Sequence, residues 1–272
     1  MNILATKITT TKSGFTLVEL SIVLVIIGLL IGGILVGQSL IESTKIQAQI
    51  KQIQSLDSAI AGFIAKYKSI PGDSRLFSPA GNGDKKVKDR TYRTETGGAA
   101  KPLWWDSGSE IAYFWVHLGY SGFSQNGASF TATIPTSGFN ISTSPKNAPQ
   151  AVIDKKAGIM VASSVYSFAY TENYTAYQIS DYTTIPNANN ADIQSNAQPI
   201  ITPIQALAID QKMDDGLPYL GTVRTSGTGN VGFGQTNGGT DCANWQPSYL
   251  TTNTKLCSLL IGVLSQSGGI NN

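Results

Sequence analysis

The strongest pattern in the chain is an uninterrupted apolar run near its N-terminus. Residues 20–41 contain no charged residue and no proline, and most of them are aliphatic or glycine. A helix needs about 20 consecutive apolar residues to cross the hydrocarbon core of a bilayer. The pattern therefore predicts one membrane-spanning helix at about residues 20–41, with the acid Glu19 at its edge.

Beyond the apolar run the helical pattern continues in amphipathic form. Apolar side chains recur at helical spacing on one stripe: Ile46, Ile50, Ile53, Ile60, Phe63, Ile64 and Tyr67. Pro71 and Gly72 then end the pattern. These observations predict one helix over residues 15–69, on the order of 80 Å long. Half of it would lie in lipid and half under a globular head.

The head, residues 70–272, is long enough for one domain with its own core. A second amphipathic helix is predicted over residues 110–120. Thr202 and Gln205 have the spacing of a capping box, and the proline between them suits the first helical position. A third helix is therefore predicted from this point to about Met213.

Strand signals fill part of the space between these helices. β-branched and aromatic residues are concentrated around residues 130–134, 159–170 and 174–179. The predicted fold class is α+β, in which the long N-terminal helix packs on an antiparallel sheet, accompanied by short extra helices.

The distribution of charge predicts the orientation of the chain. Residues 1–14 carry Lys7 and Lys12 and no acid, so the N-terminus is expected in the cytoplasm and the head on the other side of the membrane. Without these two lysines the chain has 17 basic and 17 acidic residues. This balance gives no overall positive potential that would attract nucleic acid. The lysines and arginines of residues 85–93 are interleaved with Asp84, Asp89 and Glu95, which favours a solvated loop.

Two ordinary export signals are alternatives. A secretory signal would place its cut at Gly37-Gln38-Ser39, but the apolar run before that point is too long. A permanent signal anchor would leave the N-terminus uncut.

A third possibility depends on the motif Gly14-Phe15-Thr16-Leu17-Val18-Glu19. It resembles the recognition motif of type IV prepilins and of the related pseudopilins of type II secretion. The resemblance implies cleavage by prepilin peptidase between Gly14 and Phe15, and N-methylation of Phe15. It also implies partners, namely other pilin or pseudopilin subunits and an inner-membrane assembly platform.

Glu19 is the one acid at the entry to the apolar run. Ionisable residues in such positions are costly unless paired and commonly mark function. The resemblance implies that Glu19 pairs with the freed α-amino group of a neighbouring subunit and sets the axial register of a filament. Snorkelling to the headgroups, or a favourable position at the positive helix N-terminus, is the structural alternative.

An acidic cluster follows the third predicted helix. Asp210 and Asp214 lie one turn apart at its C-terminal end, where the helix dipole disfavours negative charge, and Asp215 comes next. One hypothesis is a divalent cation such as Ca²⁺ bound by these three carboxylates. The alternative is that the aspartates accept hydrogen bonds from turn amides and pair with Lys212.

Cys242 and Cys257 are the only two cysteines. Because disulfides persist on the extracytoplasmic side, we expect them to pair. The position of this pair resembles that of the C-terminal disulfide loop of pilins. An unpaired state of both thiols is the alternative.

Catalytic chemistry has little support in the sequence. His117 is the only histidine, which excludes a multi-histidine metal site. Residues 227–232 satisfy the pattern G-x-G-x-x-G, but no helix pattern follows them, so a loop is predicted instead of a nucleotide site. We expect a protein that is not an enzyme and has no cofactor other than a possible structural Ca²⁺.

The prediction that unites these features has three segments: a removed leader (1–14), a long helix (15–69) and an extracytoplasmic head (70–272). The predicted function is that of a minor or specialised structural subunit of a type IV pilus or pilus-like filament. A type II secretion pseudopilin is the alternative within the same family. A single-pass membrane-anchored periplasmic binding or sensor protein is the alternative from another class.

Overall fold

The structure is a computed structural model, and it describes residues 14–85, 87, 110–123, 148–163, 175–181, 199–226, 242–243 and 248–264. The chain divides into two compact units, residues 1–44 and residues 45–272. The predicted strand at residues 130–134 and the predicted glycine-rich loop at residues 227–232 lie outside the described residues.

The long helix α1 runs over Leu17–Tyr67, close to the predicted residues 15–69. In the first unit the large apolar side chains of the run at 20–41 are exposed. By length and composition this helix is able to cross a membrane. The exposed apolar surface is what such a helix presents to lipid or to other helices.

The second unit contains the rest of α1 and all the other described elements. These are α2 (Glu110–Ser121), β1 (Ala157–Ser163), β2 (Thr175–Asp181), α3 (Pro203–Met213), β3 (Val223–Ser226) and β4 (Ser258–Gly262). The four strands form one antiparallel sheet in the order β1-β2-β4-β3. β2 and β4 are therefore the inner strands, and every residue of β4 is buried.

The core lies between the sheet and the two helices α1 and α2. Ile53, Ile60 and Phe63 of α1 are fully buried. From α2, Trp115 stacks on Tyr177 of β2, with a distance of 6.4 Å between the ring centroids. The Tyr177 hydroxyl donates to the carboxylate of Asp57 on α1 at 2.8 Å. Both helices thus pack on the face of the sheet that carries Tyr177.

Polar side chains of α1 bind the main chain on either side of this core. Gln49 accepts from the Ile153 amide at 3.1 Å and Gln52 from the Val152 amide at 3.0 Å. Asp57 also accepts from the amide of Leu264, just after β4, at 2.8 Å. These bonds anchor to α1 the segment before β1 and the end of β4.

A disulfide joins Cys242 and Cys257, which are 15 residues apart. Cys257 also pairs with Ile201 across an isolated bridge just before α3. The predicted α+β fold is confirmed: a long N-terminal helix, an antiparallel sheet, short extra helices and a disulfide near the C-terminus.

Replacement of both cysteines by serine is expected to lower the free energy of unfolding by about 3 kcal/mol, because a loop of this length is then free in the unfolded chain. Urea unfolding of the full chain in detergent measures the change. Reduced wild-type protein is the matched control and should lose the same amount. Equal stability of the oxidised wild type and the double variant would contradict the prediction.

Candidate functional site

The N-terminus of α1 is closed by a capping box that the sequence analysis did not recognise. The Thr16 carbonyl accepts from the Leu20 amide at 3.2 Å, so Thr16 is the N-cap residue. Its hydroxyl accepts from the Glu19 amide at 3.2 Å. In return, Glu19 Oε2 accepts from both the amide and the hydroxyl of Thr16, each at 2.8 Å. The spacing Thr-x-x-Glu was the signal that could have revealed this box.

The capping box determines where the chain leaves the helix. Residues 14–16 have no regular secondary structure, and Gly14 is exposed. The side chain of Phe15 is 83% exposed. The bond between Gly14 and Phe15, the predicted cleavage site, thus lies outside the helix in accessible chain.

The surface of α1 after the capping box is apolar and carries four glycines. Apart from the adjoining residues and the nearby helix backbone, no heavy atom lies within 4 Å of where a Cβ atom on Gly28, Gly32, Gly33 or Gly37 would be. Glycines in such a helix either let another helix approach closely or are ordinary residues of a membrane helix. The open space beside them is compatible with either role.

The three aspartates after α3 come together, as the calcium hypothesis required. Their carboxylates approach within 4.8 Å of one another. Asp210 is fully buried. One of its oxygens accepts from the Tyr249 hydroxyl at 2.7 Å and the other from the Gly216 amide at 3.2 Å. Tyr249 lies between the two cysteines in sequence, so this bond ties the disulfide-closed segment to α3.

Asp214 and Asp215 hold the turn that follows α3. Asp214 Oδ2 accepts from the amides of Thr222 and Val223 at the start of β3. Asp215 Oδ1 accepts from the Leu217 amide at 2.8 Å. The backbone donors from β3 offset the unfavourable position of Asp214 at the end of a helix. A side chain at Gly221, which has φ +67°, would overlap Asp214 Oδ2.

This geometry matches the alternative in which the aspartates accept hydrogen bonds from the amides of the turn. No hydrogen bond or ion pair joins Lys212 to these aspartates in the described part of the chain, so its predicted pairing is not present there. Among the described residues, Asp214 Oδ1 and Asp215 Oδ2 accept no hydrogen bond. Calcium binding stays a prediction, since a cation would have to compete with Tyr249 and Gly216 for Asp210.

A second acidic group was not anticipated from the sequence. Asp73, Asp84 and Glu110 have carboxylates close enough to hold a cation, although they are far apart in the chain. Asp73 is buried, and its oxygens accept from the amides of Asp84 and Lys85 at 3.0 and 2.8 Å. Here too the carboxylate closes a turn of the main chain.

His117, the only histidine, is bound on both sides by main-chain groups. Its Nδ1 accepts from the Gly72 amide at 2.9 Å, and Nε2 lies 2.8 Å from the Pro79 carbonyl. This pair of partners requires the neutral ring with the proton on Nε2. Burial lowers the pKa of His117 from its usual value, which favours the same neutral form. Its position is that of a structural residue that fastens the segment after α1 to α2.

The two units together define the class of the protein: an α+β fold of the pilin-like kind, whose long N-terminal helix carries an exposed apolar half. Residues 10–35 match the family model of the prokaryotic N-terminal methylation motif. This motif is the signature of type IV prepilins and pseudopilins. It implies processing by prepilin peptidase and assembly with other pilin-type subunits, which are structural proteins.

The match to the family model covers only the N-terminal part of the chain. No curated protein and no solved structure matches the chain. The apolar helix and the motif fit a single-pass membrane-anchored protein.

Asp210 generates a testable pH dependence. Burial raises its pKa from 3.8 to about 6. The folded protein therefore binds this proton more tightly than the unfolded chain between these two values. The contribution of Asp210 to the free energy of unfolding should fall as pH rises through this window and stay constant above it. Unfolding by urea between pH 4 and 7 measures the slope.

Asp210→Asn is the matched control, because an amide of the same shape can still accept from Gly216 and donate to the Tyr249 oxygen. The difference in stability between wild type and variant should follow the stated slope. Identical pH profiles would contradict the prediction. Repeating the measurement in millimolar Ca²⁺ tests the calcium hypothesis. Bound Ca²⁺ would favour the ionised carboxylate, so the free energy of unfolding would depend less on pH and would be higher for the wild type at pH 7.

Proposed function

We propose that this protein is a structural subunit of a type IV pilus or pilus-like filament, of the minor or specialised kind. The observation that carries the proposal is the methylation motif placed directly at the start of a helix with an exposed apolar half. The proposal divides the chain into a leader (1–14), a long helix (15–69) and a head (70–272).

The chain is made as a precursor that prepilin peptidase cuts between Gly14 and Phe15, after which Phe15 is N-methylated. The exposed, non-helical state of residues 14–16 supports this step because a peptidase needs access to an extended bond. Until assembly, residues 20–41 hold the subunit in the inner membrane. Lys7 and Lys12 keep the leader in the cytoplasm, and the head with its disulfide lies in the periplasm.

Assembly moves the apolar half of α1 from lipid into contact with the helices of other subunits, driven by an assembly platform in the inner membrane. Glu19 pairs with the α-amino group of a neighbouring subunit and sets the axial register. Its position at the first turn supports this role, because a carboxylate there lies close to the amino end of the mature chain.

A type II secretion pseudopilus is the second candidate. The specific observation in its favour is that α1 contains no proline, whereas many pilus-forming pilins have one in the apolar half. Both candidates share the same processing and helix packing. They differ in the machine that the filament serves.

The mature N-terminus is the first test. Mass spectrometry of the purified protein should find methyl-phenylalanine at residue 15 as the first residue. A protein that begins at Met1 would instead be a permanently anchored binding or sensor protein. A start at Ser39 or beyond would indicate an ordinary secretory signal.

Deletion of the gene separates the two machines. We expect loss or shortening of surface fibres with secretion of enzymes intact. Intact fibres with failed secretion would assign the protein to the pseudopilus. No change in fibres or in secretion would contradict both proposals. Complementation with the wild-type gene is the control.

A further inference from the structure

A loop of the second unit runs along α1 toward Lys45, the residue at which α1 enters that unit. The amide of Val152 donates to Gln52 at 3.0 Å, and the next amide, that of Ile153, donates to Gln49 at 3.1 Å. Gln49 precedes Gln52 on α1 by almost one turn. The loop therefore moves toward Lys45 as the chain passes from Val152 to Ile153.

The chain turns back directly after this point. The Ala157 amide donates to the Asp154 carbonyl at 3.0 Å, and the Ala157 carbonyl accepts from the Ala151 amide at 2.8 Å. β1 then begins at Ala157. Residues 152–156, which we call the tip, are therefore the end of this loop, and the tip lies on the side of the second unit where α1 enters.

The tip is exposed and basic. Lys155 and Lys156 are both exposed, and Val152 is 50% exposed although the residues on either side of it are buried. Asp154 is the one acid of the tip, and its carboxylate pairs with Lys255 from the segment before β4. The ion pair thus adds a third lysine to this surface.

Lysines outnumber acids on this side of the unit among the described residues. Lys45 and Lys51 of α1 are exposed, and they bring the lysines to five. The acids are Asp154, Asp181 at the end of β2, which pairs with the start of β1, and Glu42 just before Lys45. The local charge is therefore positive.

The proposed membrane anchor brings this side of the unit next to a bilayer. The apolar run ends at Ile41, four residues before Lys45. Four residues span at most about 14 Å, and the headgroups extend about 5–7 Å beyond the hydrocarbon core. Lys45 therefore lies within or just above the headgroups, whatever the direction of the helix. Attraction between lysines and anionic lipids acts within a Debye length of the surface, about 8 Å.

We propose that the tip and the lysines around it form a binding surface for anionic phospholipid headgroups, with Val152 in contact with the bilayer interface. This proposal rests on one part of the proposed function, the membrane anchor at residues 20–41. Two observations identify the occupant: the positive charge of the surface and its place directly after the anchor. Such contact fixes which side of the head faces the bilayer while the subunit is stored in the membrane.

The test follows the tip in nanodiscs that contain the full chain. A small fluorescent dye is attached to Val152→Cys, and a lipid with a spin-labelled headgroup quenches the dye on contact. Leu76→Cys is the matched control, because Leu76 is 70% exposed and its neighbour Phe77 packs on Tyr67 at the other end of α1. We expect strong quenching at position 152 in phosphatidylglycerol nanodiscs, and weak quenching there in phosphatidylcholine and at position 76 in both lipids.

Two charge variants test which lysines are responsible. Lys155→Gln/Lys156→Gln should lower the ratio of bound to unbound tip about 30-fold, which corresponds to about 2 kcal/mol at about 1 kcal/mol for each lysine. Lys66→Gln/Lys68→Gln removes the same charge from exposed positions at the other end of α1 and should leave the quenching unchanged.

Equal quenching at position 152 in the two lipids would overturn the proposal, and so would equal effects of the two charge variants. An unquenched dye combined with poorer filament assembly of the tip variant would overturn it in favour of contact with an acidic surface of a neighbouring subunit. A chain that does not enter nanodiscs at all would refute the anchor of the proposed function together with this proposal. A chain that enters them with an unquenched tip would refute this proposal alone.

Discussion

Burial of one seam of α1 is the interaction on which the second unit depends. The rest of the core packs against this seam, whose large buried residues lie seven, seven and three positions apart: Ile46, Ile53, Ile60 and Phe63. Burial of each such side chain is worth about 1.5–3 kcal/mol. Among the described residues the sheet has four strands, and β2 presents Tyr177 and Ile179 to this seam. Without the helix, these apolar residues would face water.

Polar contacts fix the position of α1 along the sheet. Apolar side chains alone would let a helix slide along a sheet by a turn, because hydrophobic contact has no direction. Gln49, Gln52 and Asp57 bind specific main-chain amides and so remove that freedom. Burial raises the pKa of Asp57, because removing the carboxylate from water disfavours its charged form. No group in the described part of the chain donates a hydrogen bond to the buried Oδ2 of Asp57.

The helices and the first unit were predictable from the sequence, whereas half of the sheet was not. α1, α2 and α3 have strong local signals, namely apolar periodicity, capping residues and proline at the start, and each observed end lies within two residues of its prediction. β2 was predicted within a residue or two. The strand predicted at residues 159–170 overlaps β1, Ala157–Ser163, and its residues 164–170 lie outside the described residues. β3 and β4 were missed because strands of four and five residues carry too little pattern of their own.

The sequence by itself determined the processing motif, the apolar run and the amphipathic half of α1, because these features depend on residues close together in the chain. It also contained the Thr16–Glu19 capping box, which needs only a spacing of three residues. The tertiary structure alone decided that β4 lies between β2 and β3 and that Asp57 meets Leu264. It likewise decided that Tyr249 donates to Asp210. These partners are separated by tens to hundreds of residues, and only the folding of the second unit brings them together.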